Sequence, residues 1–438
     1  MSALISNKVT RTLVTAVFLV GMALGVALAG QQGQVSQAGS VTVYTPASKD
    51  IEGATTIDYK NAKPMPLPKA LSVPQPLQRS ASAMPSGVPG FHPGSRGDGT
   101  VPQDTAVSNE AETMGYTVSQ EYGTVPQDTA VGNEAQTMGY PVPQEYGTSN
   151  YPFTTSRVDI VTDKYGNAKN NSVSKLYPYR ASGKLFFNIS GATYVCSASL
   201  IQPGIIVTAA HCVCDFGAST FYSNWQFIPA YYNGKHPYGI VYTLKAWVKT
   251  SYYNGSDSCY QSGVVCANDV AVLVAAPSGK FKITNAKYPG YKIGWLGYGW
   301  NGYSFSSPSS GPGSGYTIAQ ISQLGYPVSH DYGLWMQRTD SQGYVNSTMS
   351  SNTVWGSRQT GGSSGGPEIV NLGAPPWLDG TGLGSDADFN IVVGVTSWGY
   401  IDTTVMQQGA SAFTSTNIVS LVNPACYDPT YGIPLACY

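Results

Sequence analysis

Charge is scarce in this chain. Only 11% of its 438 residues are Asp, Glu, Lys or Arg, less than half the roughly 25% of an average soluble protein. The 23 basic and 24 acidic residues nearly cancel, to a net charge of −1, and that balance provides no electrostatic footprint for a nucleic acid or an anionic membrane. Histidine is limited to four residues, so imidazole chemistry has few places to sit. Cysteine is absent before Cys196. After residue 28 there is no long apolar run, which leaves no further candidate for a membrane-spanning helix. Strong helical periodicity is almost missing as well, which argues against a helical bundle.

What fills the space is Gly (50), Tyr (31) and Pro (29), with much Ser, Thr and Asn. From about Tyr151 onward, short β-branched and aromatic runs alternate with turn residues, as in Lys184–Ile189, Gly204–Thr208, Ile240–Trp247, Val270–Val274, Ile293–Leu296 and Ile391–Val395. Strands at such spacing, with turns between them, predict an all-β sandwich or barrels. One helix is expected, over Thr416–Asn423, with Ser415 or Thr416 as its cap and Pro424 as its stop.

The N-terminus reads as an export signal over residues 1–29. Lys8 and Arg11 precede an apolar run from Leu13 to Leu28, and Ala27-Leu28-Ala29 has the small-x-small pattern of a cleavage site. Its rival is an uncleaved anchor. Residues 30–150 read as a low-complexity, disordered pro-region or spacer. Inside it a 24-residue segment is repeated directly, at 99–122 and 123–146. Two copies are too few for a solenoid. Residues 151–438 are then the folded part, and the mature N-terminus is expected between Tyr140 and Val158. With an export signal, the seven cysteines (Cys196, Cys212, Cys214, Cys259, Cys266, Cys426, Cys437) read as disulfide partners with one left over. Cys212-x-Cys214 lacks the usual spacing of a metal site.

Three motifs carry chemistry when taken together. A serine hydroxyl attacks a carbonyl only if a base takes its proton, an imidazole is suited to that, and a buried carboxylate must hold the imidazole in the right tautomer. Ser364 lies in Gly361-Gly362-Ser363-Ser364-Gly365-Gly366-Pro367, where the glycines let consecutive N–H groups point into one concavity. The amides of Gly362 and Ser364 are the candidate oxyanion hole. His211 ends the apolar strand Val207-Thr208-Ala209-Ala210, and Asp269 precedes the apolar strand Val270-Ala271-Val272-Leu273. Each piece alone has an ordinary structural reading; the set, in the order His, Asp, Ser, is what points to acyl transfer.

These motifs resemble those of the chymotrypsin-like, trypsin-fold serine proteases: T-A-A-H-C, N-D-V-A-V-L and G-x-S-G-G-P. The resemblance covers about residues 155–425. It implies two six-stranded antiparallel β-barrels, roughly 175–285 and 290–410, with the active site in the cleft between them, and His211, Asp269 and Ser364 as the catalytic triad. It implies a Cys196–Cys212 disulfide beside the histidine. It makes Thr396-Ser397-Trp398-Gly399 the strand that pairs with substrate, so that Thr396, Ser397 and Gly399 are candidate substrate-binding residues, and it makes Gly294–Gly299 the first strand region of the second barrel. Tyr177-Pro178-Tyr179-Arg180-Ala181 and Pro237-Tyr238-Gly239 resemble segments of the bacterial glutamyl endopeptidase branch.

The chain also departs from that pattern. Ser363 stands where trypsin-type enzymes have the aspartate that receives a new N-terminus. Thr396 stands where glutamyl-specific relatives have a histidine. Arg358 either lines the primary specificity pocket, favouring an acidic side chain, or is a surface arginine. By proximity, Cys259 pairs with Cys266 and Cys426 with Cys437, which leaves Cys214, although Cys214 could exchange with Cys259 or Cys266. The expectation is therefore a secreted, monomeric serine endopeptidase made as a precursor, acting on protein or peptide substrates, with no metal and no cofactor. The rival is a non-catalytic binding or adhesion protein on a degenerate protease fold. An esterase using the same triad is a third reading, but the strand-to-helix context of α/β-hydrolases is missing.

Overall fold

The computed structural model describes residues 33–46, 57–71, 87–97, 145–146, 153–277, 288–307, 316–349, 352–373, 388–430 and 432–438. The export-signal reading, and the repeat except for its last two residues, lie outside the described residues.

The first barrel is built from β1 (Ser182–Ile189), β2 (Ala192–Gln202), β3 (Ile205–Thr208), β4 (Ser223–Pro229), β5 (Val241–Lys249) and β6 (Ala271–Ala275). Each strand pairs antiparallel with its neighbour in the order β5-β4-β1-β2-β3-β6, and β6 pairs back onto β5 to close the ring. The second barrel is β7 (Ile318–Gly325), β8 (Gln337–Asn346), β9 (Asn352–Gly356), β10 (Pro367–Val370), β11 (Ile391–Tyr400) and β12 (Gln407–Ala412). Its order is β7-β10-β11-β12-β9-β8, closed by β8 on β7. Closure removes the open strand edges that would otherwise aggregate. The chain thus has the two six-stranded antiparallel barrels that the strand pattern and motifs anticipate.

Local sequence explains the joints. Ser190-Gly191 links β1 to β2, and both residues have positive φ (48° and 85°), the backbone of the two-residue hairpin turn that matches strand twist. Strand interiors carry the large side chains. Trp225 and Trp247 are buried in the first barrel, and Trp355 and Trp398 in the second; each such side chain taken from water contributes about 2–3 kcal/mol.

Three details differ from the sequence reading. Gly297–Trp300 is not a stave of the second barrel: it runs parallel to Ile391–Val392 and pairs on its other side with Gly90–His92. The place beside β7 is taken by β8, whose alternating buried and exposed residues suit a half-buried strand. The helix α1 spans Ile418–Tyr427, with Asn417 rather than Ser415 or Thr416 as its cap, its side chain accepting from Ile418 N–H. Pro424 lies inside α1 rather than ending it. Proline removes one helical donor, which takes that partner from the carbonyl of the half-buried Ser420, and the helix continues through it. Three stretches within 30–150 add short strands to the barrels. The hairpin Gln34–Ala38/Val41–Thr45 extends β5, Lys63–Pro64 pairs with β2, and Lys69–Ala70 pairs with β11. Among the described residues, no helix is long and apolar enough to cross a membrane.

Candidate active site

Strand register brings the histidine and the acid together. Strands β3 and β6 are antiparallel, with Thr208 opposite Ala271. Two residues further along each strand, that register sets Ala210 against Asp269, and His211 follows in a single 3-10 turn, Ala210–Cys212. Asp269 Oδ1 accepts from His211 N–H (2.9 Å), and Oδ2 accepts from His211 Nδ1 (2.8 Å). Ser397 Oγ donates to the same Oδ2. The Asp269 backbone is held in turn by Ser411 Oγ (2.9 Å).

Asp269 is 1% exposed. Burial alone would push its carboxyl up, but the charge of His211 and the hydrogen bonds from His211 and Ser397 outweigh burial and hold it below the ordinary range. With Oδ2 accepting from Nδ1, the imidazole is fixed in orientation and Nε2 is left to face the other way.

Ser364 sits on the loop between β9 and β10, anchored to both barrels. Gly365 N–H donates to Thr396 O (2.7 Å) in the second barrel, and Ser197 N–H donates to Ser364 O (2.7 Å) from the first. Two glycines are required here. Gly362 has φ +91°, and a Cβ there would lie 2.5 Å from Tyr326 O; Gly365 has φ +76°, and a Cβ there would meet Thr208 Oγ1 and Ser197 O. Gly362 N–H, one of the two expected oxyanion donors, is directed at Met65 O (3.1 Å).

Ser363, in the position where an aspartate was missed, closes the loop on itself. Its Oγ and its N–H both donate to Thr360 O, at 2.7 and 3.1 Å. Ser197, which the sequence reading did not single out, locks the loop from below: its Oγ donates to Gly362 O (2.8 Å) and accepts from Tyr326 N–H (3.0 Å). The one signal for it was its place next to Cys196.

His211 Nε2 and Ser364 Oγ are both buried, and neither has a hydrogen-bond partner among the described residues.

The candidate substrate-binding residues divide. Gly399 N–H donates to Pro68 O (2.9 Å). Ser397's side chain belongs to Asp269 instead. Thr396 Oγ1 accepts from Gln323 Nε2 (2.8 Å) within a buried network in which Gln323 also bonds Gln408, and Gln408 Nε2 donates to Gln359 O (2.5 Å). No sequence pattern marked these three amides. Arg358 is half-buried, with its carbonyl accepting from Ser329 Oγ (3.2 Å).

The cysteines pair as Cys196–Cys212, Cys259–Cys266 and Cys426–Cys437, and Cys214 is free and buried. Burial, with the charges of Asp269 and Asp215, pushes its thiol well up, which makes it a poor nucleophile. Among the described residues, two groups bring potential metal ligands together, Cys196/His211/Cys212 and Asp257/Cys259/Cys266. In each, the two sulfurs are bonded to one another and cannot act as thiolates.

Among solved structures, the protease Anisep from Arthrobacter nicotinovorans is 21% identical, with a TM-score of 0.42, covering 56% of this chain and 95% of that one. A thermostable serine protease, AL20, is 22% identical with a TM-score of 0.39, covering 54% and 92%. A Glu endopeptidase is 17% identical with a TM-score of 0.38, covering 57% and 93%. Among curated proteins, an extracellular metalloprotease of Bacillus subtilis (strain 168) is 29% identical over 132 residues, which are 28% of this chain and 34% of the relative; the match thus spans about a third of that relative's length. The Trypsin family model matches residues 174–417, more than half the chain and every one of the motifs above, so the chain belongs to the trypsin family of serine proteases.

Proposed function

We propose that the protein is a secreted serine endopeptidase, made as a precursor, with His211, Asp269 and Ser364 as its triad. The observation that carries this reading is the double grip of Asp269 on His211, through the backbone N–H and Nδ1 together.

In this reading Ser364 Oγ attacks the scissile carbonyl carbon while His211 Nε2 takes its proton. The negative charge that develops on the carbonyl oxygen is met by the Gly362 and Ser364 amides, once Gly362 N–H is released from Met65 O. His211 then gives the proton to the leaving amine, and an acyl ester remains on Ser364. Water, deprotonated by His211, attacks that ester and restores the hydroxyl. Asp269 stays ionised throughout and stabilises the imidazolium, which is what its depressed pKa equips it to do. No step requires a metal or an organic group. Three disulfides and the apolar run after Lys8 and Arg11 support secretion.

The test is covalent labelling of the processed protein with a fluorophosphonate, followed by peptide mapping, alongside hydrolysis of a peptide library. Label on Ser364, lost with His211→Ala, is the expected result. Label elsewhere, or peptide hydrolysis that survives Ser364→Ala, would remove the assignment.

A further inference from the structure

Lys63–Ala70 reads K-P-M-P-L-P-K-A, with proline at every second position. Each ring fixes φ near −65° and biases the residue before it towards extended backbone. This stretch is therefore straight before it docks and loses little freedom on docking. Pro64, Pro66 and Pro68 have no N–H, so carbonyls are its main hydrogen-bonding groups.

In the fold this strap crosses from one barrel to the other over the Ser364 loop. It starts parallel to β2, with Lys63 and Pro64 opposite Tyr194 and Val195, and Met65 N–H donates to Val195 O (2.8 Å). Met65 O then takes the Gly362 amide. Further along, Pro68 O accepts from Gly399 N–H and Ala70 O from Ile401 N–H, both at 2.9 Å, so that Lys69–Ala70 lies parallel to β11. Gln261 clasps the exit: its Nε2 donates to Lys69 O (3.2 Å), and its Oε1 accepts from Leu71 N–H (2.9 Å). Leu67 and Ala70 are 3% and 1% exposed. Upstream, Tyr59 packs edge-on to Phe186 (5.0 Å), and its hydroxyl donates to Gln226.

The groups that hold the strap are those a substrate would need. Gly362 N–H is the expected oxyanion donor and Gly399 N–H the expected substrate-pairing donor, and both are taken. Ser364 is 0% exposed, although a nucleophile must be reachable. Resting on Ser364 being the nucleophile, we infer that residues 57–71 are a built-in inhibitor that occupies the cleft with a carbonyl lodged on the oxyanion donor.

The bond that follows Met65 is to the nitrogen of Pro66, a tertiary amide, and the strap runs parallel to β11; on this proposal it is therefore a poor substrate.

The experiment uses the full chain. In Leu67→Asp/Ala70→Asp, and in the gentler Pro66→Gly/Pro68→Gly, a fluorophosphonate should label about tenfold faster than in wild type, because the open state is no longer a minor population. Hydrogen exchange should lose its protection at the Gly362 and Gly399 amides. A synthetic peptide of residues 57–71 added to either variant should slow labelling again and emerge intact. Labelling at the wild-type rate while those two amides exchange freely would overturn the inference, as would prompt cleavage of the peptide. Label that persists when Ser364→Ala is added sinks the nucleophile assignment instead, and the exchange data still judge whether the strap occupies the cleft.

Discussion

Asp269 and Glu368 are both carboxylates taken almost wholly out of water, at 1% and 0% exposure, yet their surroundings drive them in opposite directions. Asp269 lies between the barrels and accepts from the His211 backbone, the His211 ring and Ser397. Glu368 lies on β10, opposite Gly394 of β11 and Gln323 of β7, and neither of its oxygens has a hydrogen-bond partner. A Cβ on Gly394 would come within 2.9 Å of Glu368 Oε2, so the glycine makes room for the acid without bonding to it. Burial with nothing to oppose it pushes Glu368 well above the ordinary carboxylate range, and the group is kept as a neutral acid. Burial alone therefore says little about charge in this molecule; the count of donors decides it.

The largest effect should come from breaking the donor-rich side. Asp269→Asn cannot hold the His211 tautomer, and kcat should fall on the order of 10^4-fold, less than the roughly 10^6-fold loss in Ser364→Ala. Steady-state kinetics on strap-released protein would check this, and a loss under tenfold would make Asp269 a structural residue only.

A smaller effect is expected at Glu368, and it concerns stability rather than turnover. From about pH 4.5 upward, the unfolded chain releases this proton while the folded chain keeps it. The folded state then binds more protons, so stability should fall as pH rises, by at most about 1.4 kcal/mol per pH unit. Glu368→Gln keeps the shape and should flatten that slope while leaving kcat unchanged. Urea unfolding across the pH series reads it directly, and an unchanged slope would mean that Glu368 is ionised in the fold.

Asp269 has the reverse sign. Its depressed pKa supplies stability above the ordinary carboxylate range, and that stability is lost as pH falls through the folded value. The smallest expected effect is therefore that of Ser397→Ala. It removes one donor, should raise the acid limb of that loss, and should lower kcat about tenfold, in line with one charge-assisted hydrogen bond. No shift in the acid limb would show that the His211 contacts alone set Asp269.

Much of this was legible in the sequence, and the rest was not, for separable reasons. His211, Asp269 and the Ser364 loop could be read because each needs specific neighbours: an apolar strand to end or begin, or glycines at positive φ. The all-β class could be read because short β-branched and aromatic runs are separated by turn residues, and the two barrels followed from the resemblance of the motifs. The strap could not, because K-P-M-P-L-P-K-A has the composition of a spacer and gains its order only from N–H groups offered by Gly362, Gly399 and Ile401. Gln323, Gln359 and Gln408 were invisible for a similar reason: a buried amide differs from a surface one only in its partners. Ser397 was read as a cleft residue because its strand faces the substrate path, but its side chain points the other way, to Asp269. Pro424 misled because a proline usually ends a helix, and here the helix runs through it to Tyr427.

Ser363 has a consequence for how this protein would mature. A turn that is already fastened to its own Thr360 carbonyl has nothing to gain from a freshly exposed chain end. On the proposal that the strap is the inhibitor, maturation would be subtraction: uncovering suffices, and no new ion pair has to be assembled. Ragged termini anywhere between Leu71 and Phe153, left by whichever proteases the surroundings supply, should all turn over substrate alike.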